Sequence, residues 1–566
     1  MPNTLARLTR TILATVVLSL AAGSGGAVTL SGAYLAAMQA DFRDDYSVAA
    51  GYYIQALLLD PENAALMQNA VVMETAQGDA AAAGALAEKL IKVTPDNQLA
   101  ALVLLADALA AEDFVGAQVI LQTHAAQINP LLGGLVSAWV AVGLQDFAAA
   151  QKRFDAMGGN EALAAYGQYH KALALAFAGD FVSAEAILAG GDQGPLHLDR
   201  NALIAHAQIL AQIGREAEAI DILDEVLSSG FPDAAISQLR DRLAAGEEVA
   251  FTQVRSARDG AAEAFLTLAD ALDSGDSERL SLLHARLAAH VSPGLVEANL
   301  LSAELLESEG QYKLAEAALD TVPDTSPWYV TAGIRRAAVV GASGDEAGGI
   351  EILTTLSESR ADDIEVWSAL GDALRGAERY QDAAEAYSRA IELVPDPQPP
   401  HWVLFYSRGI AYERAGEWSK SELDFRKALA LEPDQPLVLN YLGYSMVEKG
   451  EDLDAALAMI EKAVDGRPDD GYITDSLGWV LYRLGRYQEA VPHMLRAVEL
   501  TPDDPVINDH LGDVLWSVGR KREAEFQWRR ALSFGPGEDL DMDRVRRKLD
   551  VGLDRVLAEP DEKTDG

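Results

Sequence analysis

Proline returns at an almost constant interval through the last third of this chain. Pro395, Pro433, Pro468, Pro502 and Pro536 lie 38, 35, 34 and 34 residues apart, and similar small and large residues precede each one. Trp367, Leu370, Gly371, Ala383, Tyr387 and Ala390 stand ahead of Pro395, and Gly409, Tyr412, Phe425 and Ala428 ahead of Pro433. Leu442, Gly443, Ala456, Ile460 and Ala463 precede Pro468. Leu477, Gly478, Ala490, Met494 and Ala497 precede Pro502, and Leu511, Gly512, Ala524, Trp528 and Ala531 precede Pro536. A unit of this length holds two short helices and a turn. It cannot bury its apolar side alone, so it must stack on its neighbours, and the fold becomes a one-dimensional array.

The pattern has a direct physical reading. Glycine after leucine on the first helix lets the second helix approach where a side chain would block it. Alanine near the start of the second helix is the reciprocal small contact, and the large residue four positions later lies on the same face. Proline cannot continue a helix and sets the turn into the next unit.

The N-terminal half carries a worn copy over 28–233. Ala49, Tyr53 and Ala56 precede Pro61; Ala83, Ala87 and Leu90 precede Pro95; Ala117 precedes Pro130. Residues 179–188 and 214–223 read as further turn and second-helix starts. Residues 234–262 break the rhythm with a charged, glycine-containing helix and read as a joint between two halves. Repeats resume over 263–361, with Ala315 and Leu319 at the small and large positions, and the well-formed array spans 362–539. Residues 540–558, with Val545, Leu549, Leu553 and Val556 on one stripe, read as a capping helix. Residues 559–566 are a short charged tail.

These residues resemble the tetratricopeptide repeat, sharply from 364 to 536 and loosely elsewhere. The resemblance implies an all-α solenoid, a right-handed superhelix in two halves with about 13 to 15 helix pairs, that binds proteins or peptides along its concave side. The phrases at 439–450 (LNYLGYSMVEKG), 469–490 and 507–532 are similar to large exported repeat proteins of Gram-negative bacteria. One branch is an outer-membrane lipoprotein that presents cell-wall hydrolases to a carboxyl-terminal processing protease. Similarity to it implies an adaptor whose partners are an envelope protease and its substrates. The lipidated cysteine of that branch has no counterpart, because the chain has no cysteine at all.

Residues 1–27 read as a secretory signal. Arg7 and Arg10 form a basic start, residues 12–22 an apolar run, and Gly25, Gly26 and Ala27 a small-residue cleavage site. The apolar run is shorter than the roughly 20 residues of a spanning helix. The expectation is export to a periplasm without a stable span after processing; the alternative is a tether formed by the uncleaved N-terminal helix. The 87 acidic residues outnumber 45 basic ones, a net charge of −42, which opposes nucleic acid and anionic lipid as partners.

No catalytic set emerges. The nine histidines include no pair at i,i+4 spacing, and there is no phosphate loop, nucleophile elbow or dinucleotide fingerprint. No metal, cofactor or small-molecule substrate is expected, and the chain reads as non-catalytic. Counting within each first helix, the second, fifth, ninth and twelfth positions share one face. In the four units from Trp402 onward this face takes in Tyr406; Asn440 and Tyr444; Tyr472, Asp475, Trp479 and Tyr482; and Asp509, Asp513 and Trp516. Amide and carboxylate groups at repeat spacing can bond to an extended peptide backbone, while Tyr and Trp offer contact area at low entropy cost. The acidity of this candidate groove favours a basic or neutral segment. The competing reading is a scaffold that works through its outer surface, with the aromatics packed between repeats.

Overall fold

A computed structural model describes residues 29–159, 161–190, 200–228, 233–273, 277–535 and 540–559. The expected signal over 1–27, Pro536 and residues 560–566 of the tail lie outside them. Among the described residues the chain is all-α: 31 α-helices, one 3-10 turn and no strand. No described helix is long and apolar enough to cross a membrane. The chain divides into two compact units, with the division falling between Ile352 and Leu353.

The C-terminal unit follows the proline rhythm. Its hairpins are Ile364–Gly376 with Tyr380–Glu392, Trp402–Arg414 with Trp418–Leu431, Pro436–Lys449 with Leu453–Gly466, Gly471–Arg483 with Tyr487–Leu500, and Pro505–Ser517 with Lys521–Ser533. The turn inside each hairpin needs one residue with positive φ. Gly416, Gly450, Gly485 and Gly519 supply it at no steric cost, while the first hairpin uses Glu378 at φ 57°. Helix starts are capped by side chains where the sequence places acid: Asp470 Oδ1 accepts from the amides of Tyr472 and Ile473, and Asp504 from that of Ile507. The expected capping helix is broken at Gly552 into Met542–Val551 and Leu553–Val556. Val545, Leu553 and Val556 are buried as the stripe requires.

The N-terminal unit departs from a simple array. Residues 234–262 are not a boundary between compact units. Helix Ala257–Asp273 turns back and packs on Pro130–Gly143 and Glu161–Phe177, and helix Glu278–Val291 packs on Gln98–Ala110 and Ala64–Gln77. This pair therefore fills the face that the first helices of the N-terminal repeats would offer to a partner. Gly260 lies where any side chain would strike the Trp139 indole. Tyr169 donates to Glu263, and His170 Nε2 meets Thr267 Oγ1 at 3.0 Å. Ala261, Ala262, Ala264, Phe265 and Ala269 are fully buried. With apolar and small residues on every side, this helix belongs inside a core. Further on, the hairpin Val296–Ser308 with Tyr312–Asp320 keeps the repeat contact, Ala315 and Leu319 both buried.

Candidate functional site

The five C-terminal hairpins share one closing contact. A Cβ on Gly371 would stand 2.6 Å from the Tyr387 ring, on Gly409 2.7 Å from the Phe425 ring, and on Gly443 2.8 Å from Ile460. Gly478 and Gly512 meet Met494 and Trp528 in the same way. Each glycine thus admits the large residue of its own second helix, and that residue is fully buried. Where an aspartate follows the glycine, it takes the aromatic donor: Tyr387 Oη donates to Asp372 at 2.7 Å, and Trp528 Nε1 to Asp513 at 2.9 Å. The locked second helix fixes the roll of the first, and hence which side chains its other face presents.

Along that face the expected residues separate into two groups. Tyr472 is 59% exposed, and partial burial of its hydroxyl, then Asp504, Asp503 and Asp470 beside it, raise that group's pKa. Tyr406, Asn440, Tyr444, Trp479, Asp509 and Trp516 are half-buried. Tyr406 packs among Trp402, Phe425 and Tyr441, with ring centroids 5.7, 6.1 and 6.0 Å away. Tyr482, Asp475 and Asp513, placed on the same face by their spacing, are buried and work internally. A helical count assigns direction but not depth, and neighbouring repeats close over these three.

Trp479 lies between two rings. Tyr482 stacks on one face at 4.8 Å and His510 on the other at 3.9 Å, and the indole Nε1 donates to Glu448 at 2.6 Å. His510 Nδ1 is 2.9 Å from Asp475 Oδ2. Burial lowers the imidazole pKa, but Asp475, Asp509 and Asp513 outweigh it and hold the ring above its ordinary value. Lys548, from the C-terminal helix, reaches in with Nζ 2.7 Å from Asp509 and 2.8 Å from Asp513. Burial pushes the Asp513 carboxyl up to about 6 against the pull of Lys548. Trp516 donates to Asp554 at 3.1 Å, with Lys521 4.3 Å above its ring.

His510 and Lys548 were missed by the spacing argument. Lys548 left a trace in the sequence, a single cation on the buried stripe beside Val545 and Leu549. His510 left only its position next to Asp509.

Three equivalent positions share one property. Asn440, Asp475 and Asp509 each occupy the fifth place of their first helix, and in each the Oδ1 oxygen is buried with no donor among the described residues. A buried acceptor without a donor costs about 1–3 kcal/mol, a cost that a ligand's donor could relieve at half-buried Asn440 and Asp509 but not at Asp475, which neighbouring repeats close over. Among the described residues no group of three or more His, Asp or Glu side chains could hold a metal ion.

Comparison with known proteins agrees with the hairpin geometry. Residues 364–397, 406–471 and 447–505 match the tetratricopeptide repeat family. A TPR repeat-containing protein of Pseudomonas aeruginosa is 30% identical over 127 residues, 22% of this chain; the match spans about a fifth (21%) of that relative's length. Among solved structures, the yeast Tom70 chain is similar at TM-score 0.35 and 13% identity, covering 94% of this chain and 99% of its own. The Cut9–Hcn1 hetero-tetramer structure gives TM-score 0.38 at 14% identity over 95% and 98%. YrrB, described as a TPR protein with an unusual peptide-binding site, gives 0.26 at 19% identity over 33% and 93%.

Proposed function

We propose, for a chain whose residues 364–397 and 406–505 are tetratricopeptide repeats, that the C-terminal unit binds an extended polypeptide along the first-helix face of its repeats. The observation that carries this is the pairing, on one first-helix face, of the exposed Tyr472 ring with half-buried Asn440 and Asp509, whose Oδ1 oxygens have no donor among the described residues. Backbone amides of an extended segment are the matching donors. Tyr472 selects the side chains. An exposed ring surrounded by Asp470, Asp503 and Asp504 attracts a lysine or arginine, through both its π-face and the carboxylates. The N-terminal unit has spent its corresponding face on helices Ala257–Asp273 and Glu278–Val291, which limits peptide capture to the C-terminal unit.

The protein is then a non-catalytic adaptor. Its signal-like start directs it to the cell envelope, and the likeness at 439–450, 469–490 and 507–532 points to an envelope protease and its substrates as partners. N-terminal sequencing of the periplasmic form, expected to begin near residue 28, tests the export step.

An array of twelve-residue extended peptides, read by fluorescence anisotropy with the full chain, tests the groove. Bound peptides should carry Lys or Arg. Tyr472→Ala or Asn440→Ala should weaken them at least tenfold with the unfolding midpoint unchanged. Affinity should fall steeply between low and physiological salt, because exposed charges are screened within about 8–10 Å. Peptide binding indifferent to both substitutions would instead favour the scaffold that uses its outer surface.

A further inference from the structure

The first described helix, Leu30–Asp41, is apolar on both sides. Ala33, Ala37 and Ala40 are buried against helix Tyr46–Leu59, and the helix is held there by Tyr53 Oη donating to Asp41 at 3.1 Å. The opposite face presents Leu30, Tyr34, Leu35, Met38 and Phe42 at helical spacing, with Leu35 65% and Phe42 84% exposed. A helix that is apolar all round is stable in water only when something covers its second side. Terminal repeats of an array ordinarily turn a polar face outward for the same reason.

We infer that this face rests on a lipid bilayer surface, with helix Leu30–Asp41 lying in the plane of the interface. Two observations select lipid over a second copy of the chain. From Thr29 to Ala40, in the part of the chain kept after processing, the sequence holds no Asp, Glu, Lys or Arg, although such residues make up 23% of the chain. The face is also small. Twelve residues make a helix of about 18 Å, whereas a stable protein interface takes about 20–30 residues from each side. A bilayer needs no such complementary area. Leu35, Met38 and Phe42 can enter the headgroup boundary, with Tyr34 at its level.

The chemistry of the lipid follows from charge. At the end of this helix Arg43 lies among Asp41, Asp44 and Asp45, and Arg279 pairs with Asp41 and Asp44, so no basic patch is left for anionic headgroups, while the chain carries a net charge of −42. Repulsion from anionic headgroups opposes contact, so the surface it accepts is zwitterionic. The binding is peripheral and reversible.

The absence of cysteine makes a local test possible in the processed chain that begins near residue 28. Leu35→Cys or Met38→Cys, each labelled with an environment-sensitive fluorophore, should shift to the blue on phosphatidylcholine vesicles. A lipid-borne quencher should reach the label at both sites. Val182→Cys, exposed elsewhere in the same unit, should show neither effect. Vesicles of phosphatidylglycerol should give a smaller shift at low salt. In the Met38→Cys background, Leu35→Glu with Phe42→Glu should return the label to a water-like spectrum, with helix content and unfolding midpoint retained. Labels at 35 and 38 that stay in water while the chain is bound to vesicles would overturn the inference. So would a blue shift that grows with protein concentration in the absence of lipid, which would assign the face to a second copy.

Discussion

The Trp479 indole lies flat on the His510 imidazole, ring centroids 3.9 Å apart and planes 12° from parallel. The two side chains come from successive repeats, so this contact belongs to the stack before it belongs to any ligand. Trp479→Ala should therefore lower stability by a few kcal/mol, since it removes a half-buried ring stacked on both faces. Tyr472→Ala, at an exposed position, should change stability by no more than about 0.5 kcal/mol. Denaturant unfolding of the two variants, set beside their peptide affinity, separates a structural aromatic from a contact one.

Stability of the C-terminal unit should fall as pH rises. His510 binds its proton more tightly when folded, so its contribution is complete below its ordinary pKa near 6.5 and is lost as pH climbs through the raised folded value. Asp513 acts in the same direction lower down, from about 4 to about 6. Hydrogen exchange at residues 505–556 across pH 6 to 8 should show protection decreasing. His510→Gln should remove that slope.

The N-terminal unit should respond with the opposite sign. Trp139 Nε1 can only donate, and it donates to His170 Nδ1 at 3.0 Å, so His170 carries its proton on Nε2, toward Thr267. Burial pushes its pKa down to about 3. The unfolded imidazole takes up a proton near 6.5 and the folded one does not. The contribution of His170 is thus present above about 6.5 and lost as pH falls toward about 3. Acidification from 7 to 5 should lower protection over 130–177 and 257–273, and His170→Gln should flatten that dependence.

Lys548 should be costly to remove. Its ammonium is buried between Asp509 and Asp513, and Lys548→Met leaves those carboxylates without their cation. Breaking such a pair on one side costs about 3–5 kcal/mol. Lys548→Met with Asp513→Asn should recover part of the loss, read as the urea midpoint of the C-terminal transition.

Gly409→Ala should destabilise its hairpin by about 1–3 kcal/mol, because the added methyl would stand 2.7 Å from the fully buried Phe425 ring. Phe425→Leu in the same chain should make the alanine less harmful. The double-mutant cycle should then show favourable coupling between the two sites.

Much of the fold could be read from residue spacing. The pairs Gly371 with Tyr387, Gly409 with Phe425 and Gly512 with Trp528 were visible as a period, because a close helix crossing demands a residue without a side chain opposite a large one. The candidate site was legible in direction only. Spacing put Asp475, Tyr482 and Asp513 beside Tyr472. Their burial depends on His510, one repeat further on, and on Lys548, from a helix outside the array. No periodicity reports those contacts, since they arise where one repeat meets the next.

The local code alone determined that this chain makes helical hairpins, where each turns, and which glycine receives which large side chain. Those choices are settled within about 34 residues, where steric fit and backbone geometry act. Tertiary structure decided what the hairpins do with their free faces. Helix Ala257–Asp273 covers one face in the N-terminal unit, Lys548 neutralises acids in the C-terminal unit, and Tyr472 keeps its ring in water. Burial and charge pairing depend on which segments meet in space, and segments more than a hundred residues apart meet only once the chain has folded.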